Sequence, residues 1–237
     1  MALPKLGYPT FELELPSTGK TIKYRPFLVK EEKVLLLALD SKDEKQVINA
    51  VKDLIKNCVI TRIKVDTLPS FDLEYIFLKI RGASIGENII LTVTCLDDNK
   101  TQVEANINID EVEVFKPEGH DKKIMFDDKT GIVMKYPSMK EFVEREFLQK
   151  EMKTEEVYDY IADSIDQIFD DEEVYDSSTT TKKEFRTFVD SLTTKQFEKI
   201  QQFYTTCPKL SHTFKVVNPN TGKESEYKIE GLQNFFA

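Results

Sequence analysis

Three features of this chain have residue types and spacings that could do chemistry. The first is Thr18-Gly19-Lys20-Thr21, which carries the Gly-Lys-Thr end of a phosphate-cradling loop. Such a loop also needs a glycine five residues before Gly19, so that backbone N–H groups can converge on the phosphates. That position holds Glu14, whose carboxylate repels phosphate, so a hairpin turn is the better reading. The second is an acidic run of Asp159, Asp163, Asp166, Asp170, Asp171, Glu172, Glu173 and Asp176. An EF-hand calcium loop requires alternating Asp/Asn and a central Gly, which are missing here. The first four aspartates recur three or four residues apart, which reads as the solvated face of a helix, with a docking patch for a basic partner as the alternative. The third feature is the set of isolated side chains His120, His212, Cys58, Cys95 and Cys207. The cysteines form no C-x-x-C pair, and their odd number and wide spacing argue against a disulfide framework or a zinc site. The sequence contains no G-x-S-x-G, H-E-x-x-H or G-x-G-x-x-G motif. No catalytic residue, cofactor or metal is therefore assigned.

The elements that would position these residues are easier to read. Pro16-Ser17-Thr18-Gly19-Lys20 and Pro219-Asn220-Thr221-Gly222-Lys223 are two versions of one turn. Each lies between short strand-like runs: Phe11–Leu15 and Thr21–Arg25 around the first, Phe214–Val217 and Glu226–Ile229 around the second. Proline presets the turn and glycine supplies a positive φ, so both predict β-hairpins. Lys30–Leu39 predicts a short helix with a dense apolar run from Val34 to Leu37. Ser41-Lys42-Asp43-Glu44 has capping-box spacing, and the helix after it places Val47, Ile48, Val51, Leu54, Ile55 and Cys58 on one face. Leu68-Pro69-Ser70 opens a helix from Phe71 to about Ala83 that is apolar nearly all round, ending near Gly82 and Gly86. Period-two patterning from Asn88 to Phe115 predicts an antiparallel pair turning at Asp97–Lys100, with strands near Ile124–Phe126 and Ile132–Lys135 extending that sheet. A helix carrying Val157, Ile161, Ile165, Ile168 and Phe169 comes next, and Ser138–Glu141, Thr181–Glu184 and Thr193–Gln196 are three further capping boxes.

The fold class expected is α+β, with antiparallel hairpins at both ends and mid-chain and about six to eight amphipathic helices. Pro117-Glu118-Gly119-His120-Asp121 interrupts the pattern. It suggests an N-terminal α+β region, 1–117, and a mainly helical C-terminal region, 118–237, ending in a hairpin and apolar tail, unless the two form one compact domain. The core should be built on phenylalanine, since there are 16 Phe and 9 Tyr but no Trp. Net charge is −9, and the longest basic runs are pairs, which disfavours free nucleic acid as a partner. No stretch approaches the roughly 20 apolar residues of a membrane span, and no apolar signal core opens the chain, so a soluble protein made in a cytoplasm is expected, and the cysteines fit a reducing compartment.

Leu15 through Lys20, Tyr24 through Lys33 and Leu68 through Leu78 together resemble the baseplate protein family of T4-type bacteriophages. Met134-Lys135-Tyr136-Pro137, Ser191-Leu192-Thr193, Gln196-Phe197 and Gly231 through Phe236 also fit it. The resemblance implies a structural or assembly protein of the baseplate hub of a contractile tail, with other hub proteins as partners. Such a protein would work in the host bacterial cytoplasm during assembly, and in the virion baseplate if it is a subunit. A non-virion assembly chaperone for the hub proteins is the alternative. The family brings no catalytic residues. The expected docking surface combines Phe71, Tyr75 and Leu78 with the tail residues Leu232, Phe235 and Phe236. The competing expectation is that these residues fill the protein's own core.

Overall fold

The computed structural model describes residues 7–138, 153–176 and 178–231. Its backbone forms two compact units: Met1–Phe115 with Lys209–Ala237, and Lys116–Pro208. The architecture is α+β, with small antiparallel sheets and, among the described residues, six α-helices.

In the first unit, β1 (Phe11–Glu14) pairs with β2 (Thr21–Tyr24), Phe11 opposite Tyr24 and Glu14 opposite Thr21. Gly19 holds the turn at φ +68°, where a side chain would be strained. Three helices follow: α1 (Val29–Asp40), α2 (Glu44–Cys58) and α3 (Ser70–Ile85). α1 packs on α2, and α2 on α3. The break between α1 and α2 departs from the capping box expected at Ser41. Ser41 ends α1 and donates its hydroxyl to Ala38 O at 2.6 Å, so it is not available to start α2. Asp43 caps α2 instead, accepting the N–H groups of Lys45 and Gln46. α3 is the central element. Phe71, Leu73, Ile76, Phe77, Leu78 and Ile80 are all buried, as its all-round apolar sequence requires. Even Asp72 is buried, and it anchors the first turn: Ser17 donates both its N–H (3.0 Å) and its hydroxyl to the Asp72 carboxylate.

Strands β3 (Asn88–Thr94) and β4 (Gln102–Asn108) form the mid-chain hairpin. β5 (Glu113–Phe115) receives β10 (Lys209–Val217), which in turn pairs with β11 (Glu224–Glu230). The C-terminal hairpin thus returns to the N-terminal unit, where Leu210 and Val216 join Leu78, Ile89, Ile107 and Val112 in one core. Its turn repeats the first one, with Gly222 at φ +70°. It too is tied down by an aspartate, since Asn218 and Thr221 both donate to Asp97 in the β3–β4 turn.

The second unit contains β6 (Lys123–Met125), β7 (Gly131–Met134), β8 (Ile165–Phe169) and β9 (Val174–Asp176), paired in that order. Helices α4 (Thr154–Asp163), α5 (Lys182–Ser191) and α6 (Thr194–Thr205) complete it. Two expectations are corrected here. The strands near 124 and 132 do not extend the β3–β4 sheet; they pair with β8 in a sheet of their own. Ile165–Phe169 is a strand rather than the continuation of α4. A register shift explains the misleading spacing: Val133 faces Gln167 and Met134 faces Ile165, leaving Asp166 as an extra residue. The bulge turns both Ile165 and Ile168 inward, so their three-residue spacing imitates a helix. The capping boxes at Thr181 and Thr193 are present, whereas the one read at Ser138–Glu141 extends beyond the described residues.

Gly131 is the tightest point of this sheet. A Cβ there would lie 2.5 Å from Ile124 O and 2.6 Å from Phe169 Cζ. Gly131→Ala should therefore destabilise the second unit by about 1–3 kcal/mol, read from the urea midpoint. An unchanged midpoint would contradict the register described.

Candidate functional site

The side chains whose types and spacings could do chemistry are taken up by turns, ion pairs and packing. Gly19 is a hairpin residue, and a Cβ added to it would meet Glu14 Oε1 at 3.4 Å, so a carboxylate occupies the side where a phosphate loop needs open N–H groups. The acidic run is dispersed by the β8 bulge. Asp159 and Asp163 lie on α4, Asp166 in β8 and Asp170 in the turn that follows. Asp163 pairs with Lys182 (2.8 Å), while Asp159 joins Glu155 and Asp190 around the Arg186 guanidinium. The Asp170 carboxylate accepts the N–H groups of Glu172 and Glu173 in its own turn. Among the described residues, no group of three or more His, Cys, Asp or Glu is placed to hold a metal ion.

His120 is more than an ordinary loop residue. It is buried, and it stacks on Tyr136 and Phe203 at centroid distances of 5.6 and 5.1 Å. Thr206 Oγ1 donates to Gln202 O at 2.7 Å, which leaves His120 Nδ1 to donate to Thr206 and Nε2 to accept from Tyr136. The threonine proton is committed to the backbone, so the pair is built for packing rather than for activating a nucleophile. Burial, then the charge of Lys116, pushes the imidazole below its ordinary range. The Cys58 thiol is pushed up to about 11, chiefly by burial, which keeps it protonated and unreactive.

The sequence-expected docking residues separate sharply. Phe71 and Leu78 are buried, at 2% and 0% exposure. Tyr75 is only partly buried. It lines a shallow notch of about 230 Å³ with Glu14, Leu15, Pro16, Glu113 and Val114. Burial, then the charges of Glu113 and Asp110, raises its phenol pKa. Lys79, one turn on, lies over its ring at 5.4 Å and pairs with Asp110 at 3.0 Å. Leu232, Phe235 and Phe236 lie outside the described residues.

The segment from Tyr24 to Lys33 holds what the sequence reading missed. Arg25, at the end of β2, is buried. Its guanidinium donates to Glu31 Oε1 (3.1 Å), Asn57 O (3.0 Å) and Pro26 O (2.8 Å). Glu31 Oε2 accepts the Leu28 N–H at 2.6 Å, one of the unpaired donors at the start of α1. One ion pair therefore joins the hairpin, the first turn of α1 and the last turn of α2. The placement leaves α1 with only Glu31, Leu35 and Ala38 buried, while Val29, Val34, Leu36 and Leu37 face outward. The dense run from Val34 to Leu37 was the available signal. Four apolar residues in a row cover more than one side of a helix, so the run does not say which side is covered.

These features describe a protein with tightly fixed turns and an uncovered apolar helix. A comparison with known families matches residues 8–237 to the family described as T4 bacteriophage base plate protein. The chain belongs to that family, and it is a phage baseplate protein. No curated protein and no solved structure matches it. No helix among the described residues is long and apolar enough to cross a membrane.

The ion pair makes two measurable demands. Arg25→Met leaves the buried Glu31 carboxylate only the exposed Lys30 ammonium at 3.4 Å and the Leu28 N–H, and should destabilise the protein by about 2–3 kcal/mol in urea denaturation at neutral pH, with Glu31→Gln added to it restoring part of the loss. Burial alone would raise the Glu31 pKa. The Arg25 hydrogen bond, the Leu28 N–H and the charges of Arg25 and Lys30 outweigh it, and the net shift is downward. The contribution of Glu31 is therefore complete above the ordinary glutamate value of about 4.3 and is lost as pH falls through its lowered value. Glu31→Gln should flatten the acid limb of the stability–pH profile. An unchanged acid limb would contradict the assignment.

Proposed function

We propose that this protein is a structural subunit of the baseplate hub of a contractile-tailed phage, working by protein–protein docking and without catalysis. The observation that carries this reading is the family match across nearly the whole chain. The organisation of the chain supports a docking role. Both hairpin turns are fixed by aspartates within the chain, and the partly exposed Tyr75 lies against the first turn in a notch open to a partner. Aromatic anchors of this kind dominate protein interfaces. The docking set proposed is Tyr75 with the tail residues Leu232, Phe235 and Phe236, an apolar surface that other hub proteins cover during assembly in the host cytoplasm and in the virion baseplate.

Mass spectrometry of purified particles and of baseplate precursors from infected cells tests the role. A structural subunit appears in both at a fixed ratio to hub proteins. Presence in precursors alone would make it an assembly chaperone, and absence from both would end the hub reading. Within the docking set, replacing Phe235 and Phe236 together with Ala should abolish incorporation into precursors while the thermal midpoint is unchanged. A monomer that unfolds instead would place the tail in the core.

A further inference from the structure

The outward side of α1 is an apolar seam with a charge pattern complementary to itself. At about 100° per residue, Val29, Lys33, Leu36, Leu37 and Asp40 fall on one arc, opposite the buried Glu31, Leu35 and Ala38. Val29, Leu36 and Leu37 are 80%, 54% and 60% exposed, and Val34 at the flank is 52% exposed. Single exposed apolar residues are ordinary, but adjacent Leu36 and Leu37 on this arc, with Val29 at its start and Val34 at its flank, leave much apolar surface on one twelve-residue helix.

The two charges within the seam indicate what covers it. Lys33 and Asp40 are both exposed. They stand symmetrically about the midpoint between Leu36 and Leu37. A second α1 laid parallel in register sets Lys33 against Lys33 and Asp40 against Asp40. Laid antiparallel about a two-fold axis through that midpoint, it sets Leu36 against Leu37 of the second copy and Lys33 against its Asp40. By symmetry the reciprocal ion pair forms as well, each pair about 5 Å along the helix from the axis. An isologous interface needs a patch that complements itself under a two-fold rotation, and this seam does. We propose that α1 is a self-association surface, through which two copies of this chain pair by antiparallel α1 helices. The proposal does not depend on the hub reading.

Two twelve-residue helices about 18 Å long make an interface at the small end of the known range. Self-association of the isolated protein is therefore weak and transient.

Sedimentation velocity of the full chain, from micromolar to millimolar protein, gives the test. Wild type should shift from monomer to dimer with concentration. Lys33→Asp and Asp40→Lys each place like charges opposite one another and should weaken the dimer about tenfold or more. The double variant carrying both substitutions should recover wild-type association. An equimolar mixture of the two single variants should associate more tightly than either alone. Leu37→Gln removes an apolar contact at the centre without altering charge and should also weaken the dimer. All these positions are exposed, so the thermal midpoint should not move. A wild type that stays monomeric at millimolar concentration overturns the proposal and gives the seam to another protein or another segment of the chain. A dimer indifferent to charge reversal, with no rescue in the mixture, overturns it by placing the dimer contact elsewhere.

Discussion

The ion pair between Arg25 and Glu31 is the interaction on which the organisation of the N-terminal unit depends. A buried charge is costly unless it is paired and its hydrogen bonds are satisfied. Arg25 meets both conditions only when three separate elements are in place at once: Glu31 on α1, the Asn57 carbonyl on α2, and the β2 backbone that presents the guanidinium. The pair therefore acts as a geometric specification more than as a source of net stability. It fixes where α1 begins, and hence which side of that helix is covered and which is left outward. Within the stretch from Tyr24 to Lys33, Arg25 and Glu31 thus have a physical reason for their identities.

The second organising device is the pair of hairpin turns. Each uses glycine at positive φ to reverse the chain, and each donates hydrogen bonds to the carboxylate of an aspartate far away in sequence: Asp72 for the first turn and Asp97 for the second. Hairpins alone are marginal in water and need a third strand or another element to pack on. Here the first rests on α3. The second joins β5 and so brings the C-terminal strands back to the N-terminal unit. The intervening unit is built differently, with α5 and α6 contributing Phe185, Val189, Ile200 and Phe203 to a core shared with the β6–β9 sheet.

Much of this was legible in the sequence where one residue type had one job. The glycines of the two turns, the capping boxes at Thr181 and Thr193, and the all-round apolar pattern of α3 each led to the element observed. The failures came where a local pattern had two solutions. Ile165 and Ile168 keep helical spacing because a bulge at Asp166 restores their phase in a strand. Ser41 had the capping spacing but gave its hydroxyl to the preceding helix. The functional surface was the least legible part. Phe71 and Leu78 are large apolar residues that either a partner or a core can use, and in this chain both are buried. The outward face of α1 could not be separated from its inward face by period alone, because both are apolar. Only the buried ion pair, a contact between residues six apart acting with the distant end of α2, settles which side is inside.

Cross-linking of baseplate precursors from infected cells, read by mass spectrometry, would test the central claim most directly, namely that this chain works by docking to other baseplate proteins. Lys20 in the first turn and Lys23 in β2 are exposed amines on the hairpin that lines the notch. The account predicts links from these lysines to other baseplate proteins. Links confined to the chain itself, in precursors that otherwise contain it, would contradict the account.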